Sequence, residues 1–76
     1  MEETNDSFHL KPISKTELAR QYMPYLAAHS AVNRLVAWIN GCPALLEKLH
    51  ETGYRKSQKL FTSRQHALIL EFLGEP

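Results

Sequence analysis

Two four-residue segments, "SKTE" at residues 14–17 and "TSRQ" at residues 62–65, constrain the fold more than any other feature of the sequence. Each is a capping box, in which a Ser or Thr hydroxyl accepts from the amide three residues later and the Glu or Gln there reaches back. A helix is therefore predicted to start just after each box. Pro24 disfavours helical geometry at the residue before it and so ends the first helix. Gly74 closes the last one.

Hydrophobic periodicity and helix stops predict two further helices between these. The apolar residues of "SAVNRLVAWIN" (residues 30–40) recur about every 3.6 positions, which places them in the core: Ala31, Leu35, Trp38 and Ile39. Gly41 after this segment and Gly53 after "CPALLEKLHETG" (residues 42–53) are typical helix stops. Pro43 suits the first turn of the second of these helices.

Two segments predict extended structure. "YRKSQKLF" (residues 54–61) is irregular for a helix and predicts a short hairpin, packed against the second or third helix, with a four-residue turn in its middle. "FHLKPI" (residues 8–13) predicts a short edge strand, because Pro12 lacks the amide that a central strand needs. The polar residues 1–7 predict a disordered tail.

The fold class that follows is mainly α. We expect a small helical domain of about four helices with a short basic β-hairpin, forming a single domain over residues 8–76. The core is predicted to contain Leu18, Leu35, Trp38, Leu46, Leu49, Leu68 and Phe72.

Composition excludes several kinds of site. A chain of 76 residues makes one domain and has little room for an enclosed cavity. Its one cysteine, Cys42, has no partner for a disulfide or a Cys-pair zinc site, and it is predicted to be a structural thiol at the start of the third helix. The four histidines never pair one helical turn apart, so we expect no metal and no cofactor.

The sequence also bears on location. No apolar stretch approaches the roughly 20 residues that a membrane-spanning helix needs. The first ten residues, "MEETNDSFHL", are too acidic and polar for a signal peptide. We therefore expect a cytoplasmic, bacterial-type protein that does not contact membranes.

No arrangement typical of catalysis is present in the sequence. His50 and Glu51 are adjacent, so on a helix they point to different faces. Ser57 and Ser63 have no recognisable His and Asp partners, and neither a Gly-x-Ser-x-Gly motif nor a glycine-rich phosphate loop occurs. We expect no enzymatic activity and no small-molecule substrate.

Charge is distributed unevenly along the chain. Residues 1–13 sum to −2 and the whole chain to +1, whereas the segment from Tyr54 to His66 has a charge of +4 and no acid. Its cations are Arg55, Lys56, Lys59 and Arg64. Such a segment is typical of proteins that contact the phosphates of nucleic acid. The alternative is a solvated loop whose charges only keep the chain soluble.

The order of elements resembles a winged helix-turn-helix domain. "KTELARQY", followed by a helix that ends in "WIN", looks like the start of excisionase-like and MerR-like domains, although the connector "MPYLAAHS" is longer than a standard turn. In those domains the second helix enters the major groove of double-stranded DNA and a basic wing contacts the backbone. The resemblance implies that Asn33 and Arg34 contact base edges. It assigns phosphate contacts to Arg55, Lys56, Lys59 and Arg64.

A closer resemblance covers nearly the whole chain. "SKTELARQYMP", "AVNRLVAWI" and "TGYRKSQKLFTSRQHALILEFLGEP" are similar to a family of short bacterial proteins of unknown function, common in gut anaerobes. Its members share an ELA-x-x-Y-x-P segment, a later TGY and FT-x-x-Q, and a terminal LGEP. The resemblance implies family membership and brings no activity with it.

A protein-interaction module is the alternative function. A small helical domain of this kind is also suited to bind a protein partner or a second copy of itself. Tyr25 and Leu26 fit no apolar stripe, and if exposed they would supply such a contact. Nucleic acid would be favoured if one face gathers the cations Arg34, Arg55, Lys56 and Lys59. Scattered cations beside an exposed patch of Tyr25 and Leu26 would favour a protein partner.

Overall fold

The computed structural model describes residues 10–76 and contains four helices and one pair of short strands. The predicted fold class, a mainly α domain of four helices with a small antiparallel strand pair, is confirmed. The tail predicted over residues 1–7 lies outside the described residues, as does the start of the predicted strand over residues 8–13. In chain order the elements are β1 (Ile13–Ser14), α1 (Lys15–Tyr22), α2 (Ala28–Asn40), α3 (Pro43–Glu51), β2 (Leu60–Phe61) and α4 (Ser63–Leu73).

The two strands join parts of the chain that are far apart in sequence. They pair antiparallel, with Ile13 opposite Phe61 and Ser14 opposite Leu60. The prediction of a hairpin within residues 54–61 is therefore corrected, because this segment supplies a turn and one strand, and its partner is β1. Ile13 and Phe61 are both buried, so the long-range pair places its apolar side chains together on the core side.

Each strand leads directly into the cap of a helix. The hydroxyl of Ser14 accepts from the amide of Glu17 at 2.9 Å, which caps α1. Thr62 and Gln65 form both halves of a capping box at α4, with hydrogen bonds of 3.2 and 3.0 Å. Both predicted helix starts are confirmed. Because the strands are antiparallel, α1 and α4 leave the strand pair at opposite ends.

Gly53 follows α3 in a backbone conformation that favours glycine. The amide of Gly53 donates to the carbonyl of His50 at 3.0 Å, and that of Tyr54 donates to the carbonyl of Leu49 at 3.1 Å. This is a Schellman motif, which needs a residue with positive φ at the first position after the cap. Gly53 has a φ of 88°, which a residue with a side chain adopts only at a cost. The helix stop predicted here is confirmed.

One apolar core joins all four helices and both strands. Its buried members are Ile13, Leu18, Ala19, Met23, Ala31, Leu35, Ile39, Leu45, Leu49, Tyr54, Phe61 and Ile69. The predicted core positions Leu18, Leu35 and Leu49 are confirmed as fully buried. Three other predicted positions are half-buried and pack against this core, namely Leu46, Leu68 and Phe72.

The prediction that Trp38 belongs to the core is wrong. Its side chain is 38% exposed and lies edge-on against Tyr22, with ring centroids 5.7 Å apart. The core-facing side of α2 is taken by Ala31, Leu35 and Ile39, so Trp38 falls on the flank of the helix. Tyr22 in turn donates a hydrogen bond of 2.5 Å to the carbonyl of Gly74, which fastens the end of the chain to α1. Trp38 thus lies against the residue that holds the C-terminal segment.

Three other side chains complete the comparison with the sequence. Cys42 is the N-cap residue of α3 and is half-buried against the core, which confirms its predicted position. In the connector between α1 and α2, Leu26 is half-buried against the core, whereas Tyr25 is 76% exposed. The question that the sequence left open for this pair therefore has a different answer for each residue.

Replacing Phe61 with Ala should lower the free energy of unfolding by about 3–5 kcal/mol, because the side chain is fully buried at the strand pair. Trp38→Ala should cost less, about 1–2 kcal/mol, because it removes one edge-to-face contact and a partly exposed ring. Urea unfolding followed by far-ultraviolet circular dichroism measures both losses. Equal losses for the two variants would contradict the placement of Trp38 on the flank of α2.

Candidate nucleic-acid interface

The basic loop, defined as residues 54–61, is anchored at both ends by buried aromatic rings. Tyr54 is 6% exposed and Phe61 is fully buried. Their rings stack with centroids 6.0 Å apart, and the ring of His50 of α3 also stacks with that of Tyr54, at 6.3 Å. Three cations lie between the anchors, and all are exposed: Arg55, Lys56 and Lys59. The rings therefore fix where the charged part of the loop begins and ends.

The side chain of Gln58 brackets the charged part of the loop. Its Oε1 accepts from the amide of Arg55 at 3.1 Å, and its Nε2 donates to the carbonyl of Leu60 at 2.7 Å. Its own amide donates to the carbonyl of Arg55 at 3.0 Å. These bonds close a turn around the cations, so the loop backbone has a defined shape.

A buried amide connects this bracket to the helices. Gln65 is 1% exposed, and its Oε1 accepts from Nε2 of Gln58 at 2.5 Å as well as from the amide that it caps. Its Nε2 donates to the hydroxyl of Thr52 at 2.8 Å, and that hydroxyl donates to the carbonyl of Leu49 at 2.6 Å. The loop is thereby tied to the end of α3 and the start of α4. Because these polar groups are satisfied by one another, the network can be buried at little cost.

Lys15, the first residue of α1, also supports the loop. Its Nζ donates to the carbonyl of Lys56 at 2.8 Å, and its amide donates to the carbonyl of Lys59 at 2.8 Å. The ammonium lies 5.6 Å from the ring centroid of Tyr54 and 5.8 Å from that of Phe61, within the range of a cation–π contact. The side chain is only 7% exposed, and its burial lowers the pKa of Lys15 from the usual 10.5.

Sequence reasoning missed Lys15, Gln58 and Gln65 as parts of this site. One signal was available for Lys15, because a cation at the first position of a helix opposes the helix dipole and needs another reason to be there. Gln65 was recognised only as a cap. For Gln58 the sequence contains no signal, because its partners are set by the turn that it closes.

The remaining residues implied in DNA contact are exposed but lie on other elements. Arg64 is in the first turn of α4, shortly after the loop. Asn33 and Arg34 are exposed on α2, away from its buried residues. Helix α2 packs against α1 and α3, whereas β2 packs against β1 and α4. Arg55, Lys56 and Lys59 therefore share one loop. Asn33 and Arg34 lie on a helix that packs against other elements.

Among residues 10–76, no group of three His, Cys, Asp or Glu side chains is arranged to hold a metal ion. None of the four helices between Leu10 and Pro76 combines the length and the apolar character that crossing a bilayer requires.

Comparison with known families gives one match. The model of a family described as Domain of unknown function (DUF4248) matches residues 9–76. The chain belongs to this family. The match spans every helix and both strands, so the basic loop and its supports all lie within the family domain. Neither the curated proteins nor the solved structures gave a match.

The burial of Lys15 predicts a pH dependence of stability. Between its lowered pKa and 10.5, the unfolded chain holds a proton that the folded chain has released. Stability therefore rises with pH in this window relative to a variant that lacks the amine. We expect the difference in free energy of unfolding between wild type and Lys15→Met to grow in favour of wild type as the pH rises.

Urea unfolding at a series of alkaline pH values measures this difference, with Lys48→Met as the control for removal of an exposed lysine. The series ends below pH 10.0, because burial raises the pKa of Tyr54, and burial with nearby Glu75 raises that of Tyr22. Above that pH these tyrosines ionise in the unfolded chain while the folded chain still holds their protons, which would destabilise every variant. The same trend in the Lys48→Met comparison would show that Lys15 is not the source.

Proposed function

We propose that the protein binds double-stranded DNA without catalysing a reaction, as a small regulatory or excisionase-like factor. The observation that carries this proposal is the basic loop, whose three exposed cations lie on a backbone held by Gln58, Gln65 and Lys15. A loop that only kept the chain soluble would need none of these supports. No acid lies between Tyr54 and His66 to neutralise the cations.

In this proposal the loop acts as the wing of a winged helix-turn-helix domain and contacts phosphates. Arg64 adds a further phosphate contact from the first turn of α4. A cation there opposes the dipole of its own helix, so helix stability does not account for it. These contacts supply affinity that depends on salt and not on base sequence.

Helix α2 would supply the contacts to bases. Asn33 and Arg34 are exposed on the side of the helix opposite or flanking its buried residues. Asn pairs with the major-groove edge of adenine, and Arg pairs with that of guanine, each through two hydrogen bonds. The proposal therefore divides the work between a sequence-independent loop and a sequence-reading helix.

Four phosphate contacts predict a log–log salt slope of about −3.6, so affinity for duplex DNA should fall about a hundredfold between about 50 and 200 mM salt. In the variant Arg55→Ala/Lys56→Ala/Lys59→Ala the slope should shrink to about −0.9, because three contacts are lost. Fluorescence anisotropy with a labelled random duplex across a salt series measures both slopes.

The matched control is Lys11→Ala/Arg20→Ala/Lys48→Ala, which removes the same residue types from exposed positions elsewhere and changes the net charge equally. This control should keep a slope close to that of wild type. If both triple variants lose the same affinity, only net charge matters and the loop is not the site. If wild type has no duplex affinity even at low salt, the proposal fails.

The pair on α2 predicts a different phenotype. Asn33→Ala/Arg34→Ala should reduce preference among duplex sequences by about 1–3 kcal/mol per lost base contact, with only a small change in salt slope. Selection from a randomised duplex library, compared between wild type and variant, measures the preference. Asn40→Ala/Arg20→Ala replaces the same residue types at exposed positions and should leave it unchanged. An identical preference in all three proteins would remove α2 from the interface.

Binding of a protein partner or a second copy is the other candidate function. The observation that favours it is Tyr25, which is 76% exposed in the connector before α2. Trp38, the other large aromatic side chain that is exposed within residues 10–76, lies near the opposite end of α2. Sedimentation of wild type and Tyr25→Ser tests for a homodimer. A concentration-dependent dimer that the substitution abolishes, without duplex affinity, would favour this function.

A further inference from the structure

We infer that the basic loop is a preorganised clamp for the phosphate backbone of a nucleic-acid duplex, and that Gln58, which carries no charge, is its positioning residue. The inference rests on the proposed function and deepens it in two respects. It gives a structural reason for the duplex form that the proposed function names. It also assigns the side chain that makes the loop competent to bind.

The side chain of Gln58 spans the charged part of the loop. Its hydrogen bonds end on the amide of Arg55 and the carbonyl of Leu60, so they span the stretch that contains every cation of the loop. The third bond, to Gln65, connects this stretch to the start of α4. One side-chain amide therefore sets the spacing of the three cations relative to each other and to the helix.

Other supports of the loop make the effect of Gln58 local. Lys15 holds the carbonyls of Lys56 and Lys59, and the buried rings of Tyr54 and Phe61 hold the loop ends. Loss of the Gln58 bracket would thus free the turn between these points and leave the rest of the fold in place. Gln58 is itself only half-buried, so its removal opens no core cavity.

A loop that is held in its binding shape before it meets the ligand should bind more tightly than a flexible one. A flexible loop must lose conformational freedom when its cations contact successive phosphates, and this loss reduces the net binding free energy. A loop already held in one shape loses less conformational freedom when it binds. Removal of Gln58 should therefore weaken binding although every charge remains.

The burial of the loop aromatics indicates which nucleic acid fits. Proteins that bind single strands combine a basic groove with exposed aromatic rings on which bases stack. In the basic loop the only two rings, Tyr54 and Phe61, are turned into the core. The exposed rings of Tyr25 and Trp38 lie on the α1–α2 connector and on α2 instead. The loop thus offers charges and no stacking surface, which suits the regular phosphates of a duplex.

The experiment compares Gln58→Ala with Ser57→Ala, a change at an exposed position of the same turn. Neither substitution alters the charge. The probes are a labelled random-sequence duplex and one of its strands, in a salt series. We expect Gln58→Ala to bind the duplex about fivefold to tenfold more weakly at low salt, as the loop must now be ordered on binding. Its salt slope should also be shallower. Ser57→Ala should match wild type, and wild type should prefer duplex over single strand.

Two further measurements separate positioning from loss of folding. Gln58→Met keeps much of the side-chain bulk without the amide and should bind as weakly as Gln58→Ala. Amide hydrogen exchange should rise at Arg55 and Gln58, and amides in the middle of α2 should keep their protection. Rapid exchange throughout the variant would mean general destabilisation and would overturn the positioning role.

The outcomes distinguish this inference from the function on which it rests. If wild type binds neither probe, the proposed function fails. If wild type binds the duplex and Gln58→Ala binds it equally well, the function stands and the positioning role of Gln58 is overturned. If wild type binds the single strand as tightly as the duplex, the assignment of a duplex ligand is overturned.

Discussion

The structure depends on one long-range contact, the pairing of Ile13 with Phe61 across β1 and β2. It joins the start of the domain to the segment before its last helix and buries both side chains in the core. The ladder continues into the bond between the amide of Lys15 and the carbonyl of Lys59. The basic loop is therefore held next to the first turn of α1, and this position brings the ammonium of Lys15 within reach of it. Without the strand pair, the loop would not be held beside the first turn of α1.

A buried cation beside three exposed ones has a cost that the fold has to offset. Taking the ammonium of Lys15 out of water is unfavourable, and its lowered pKa expresses that penalty. The carbonyl of Lys56 and the faces of Tyr54 and Phe61 compensate in part. An apolar residue would fill the same space without the penalty, but it would not hold the loop backbone. Lys15 therefore holds the loop backbone at the cost of removing its ammonium from water.

The accuracy of the sequence predictions follows the range of the interactions involved. The starts of α1 and α4 and the stop at Gly53 were predictable, because caps and glycine turns are determined by residues within one helical turn. The strand partner of residues 60–61 was not predictable, since nothing in the loop identifies β1 as its neighbour across the intervening helices. Trp38 was misplaced because its spacing fits the apolar stripe of α2. The sequence does not show which part of that stripe faces α1 and α3 and which part lies at its edge.

The candidate site follows the same division. Composition alone identified the cations of the loop, but a cationic stretch is compatible with either a solvated loop or a binding surface. The bonds of Gln58 to Arg55 and Leu60 are local, whereas those from Lys15 to Lys56 and from Gln65 to Thr52 join separate parts of the chain and depend on the finished fold. Charges that only keep the chain soluble need no fixed spacing, whereas cations that contact successive phosphates do. Under the proposed function, the bonds of Gln58 and Lys15 would supply that fixed spacing, which the charged residues alone do not.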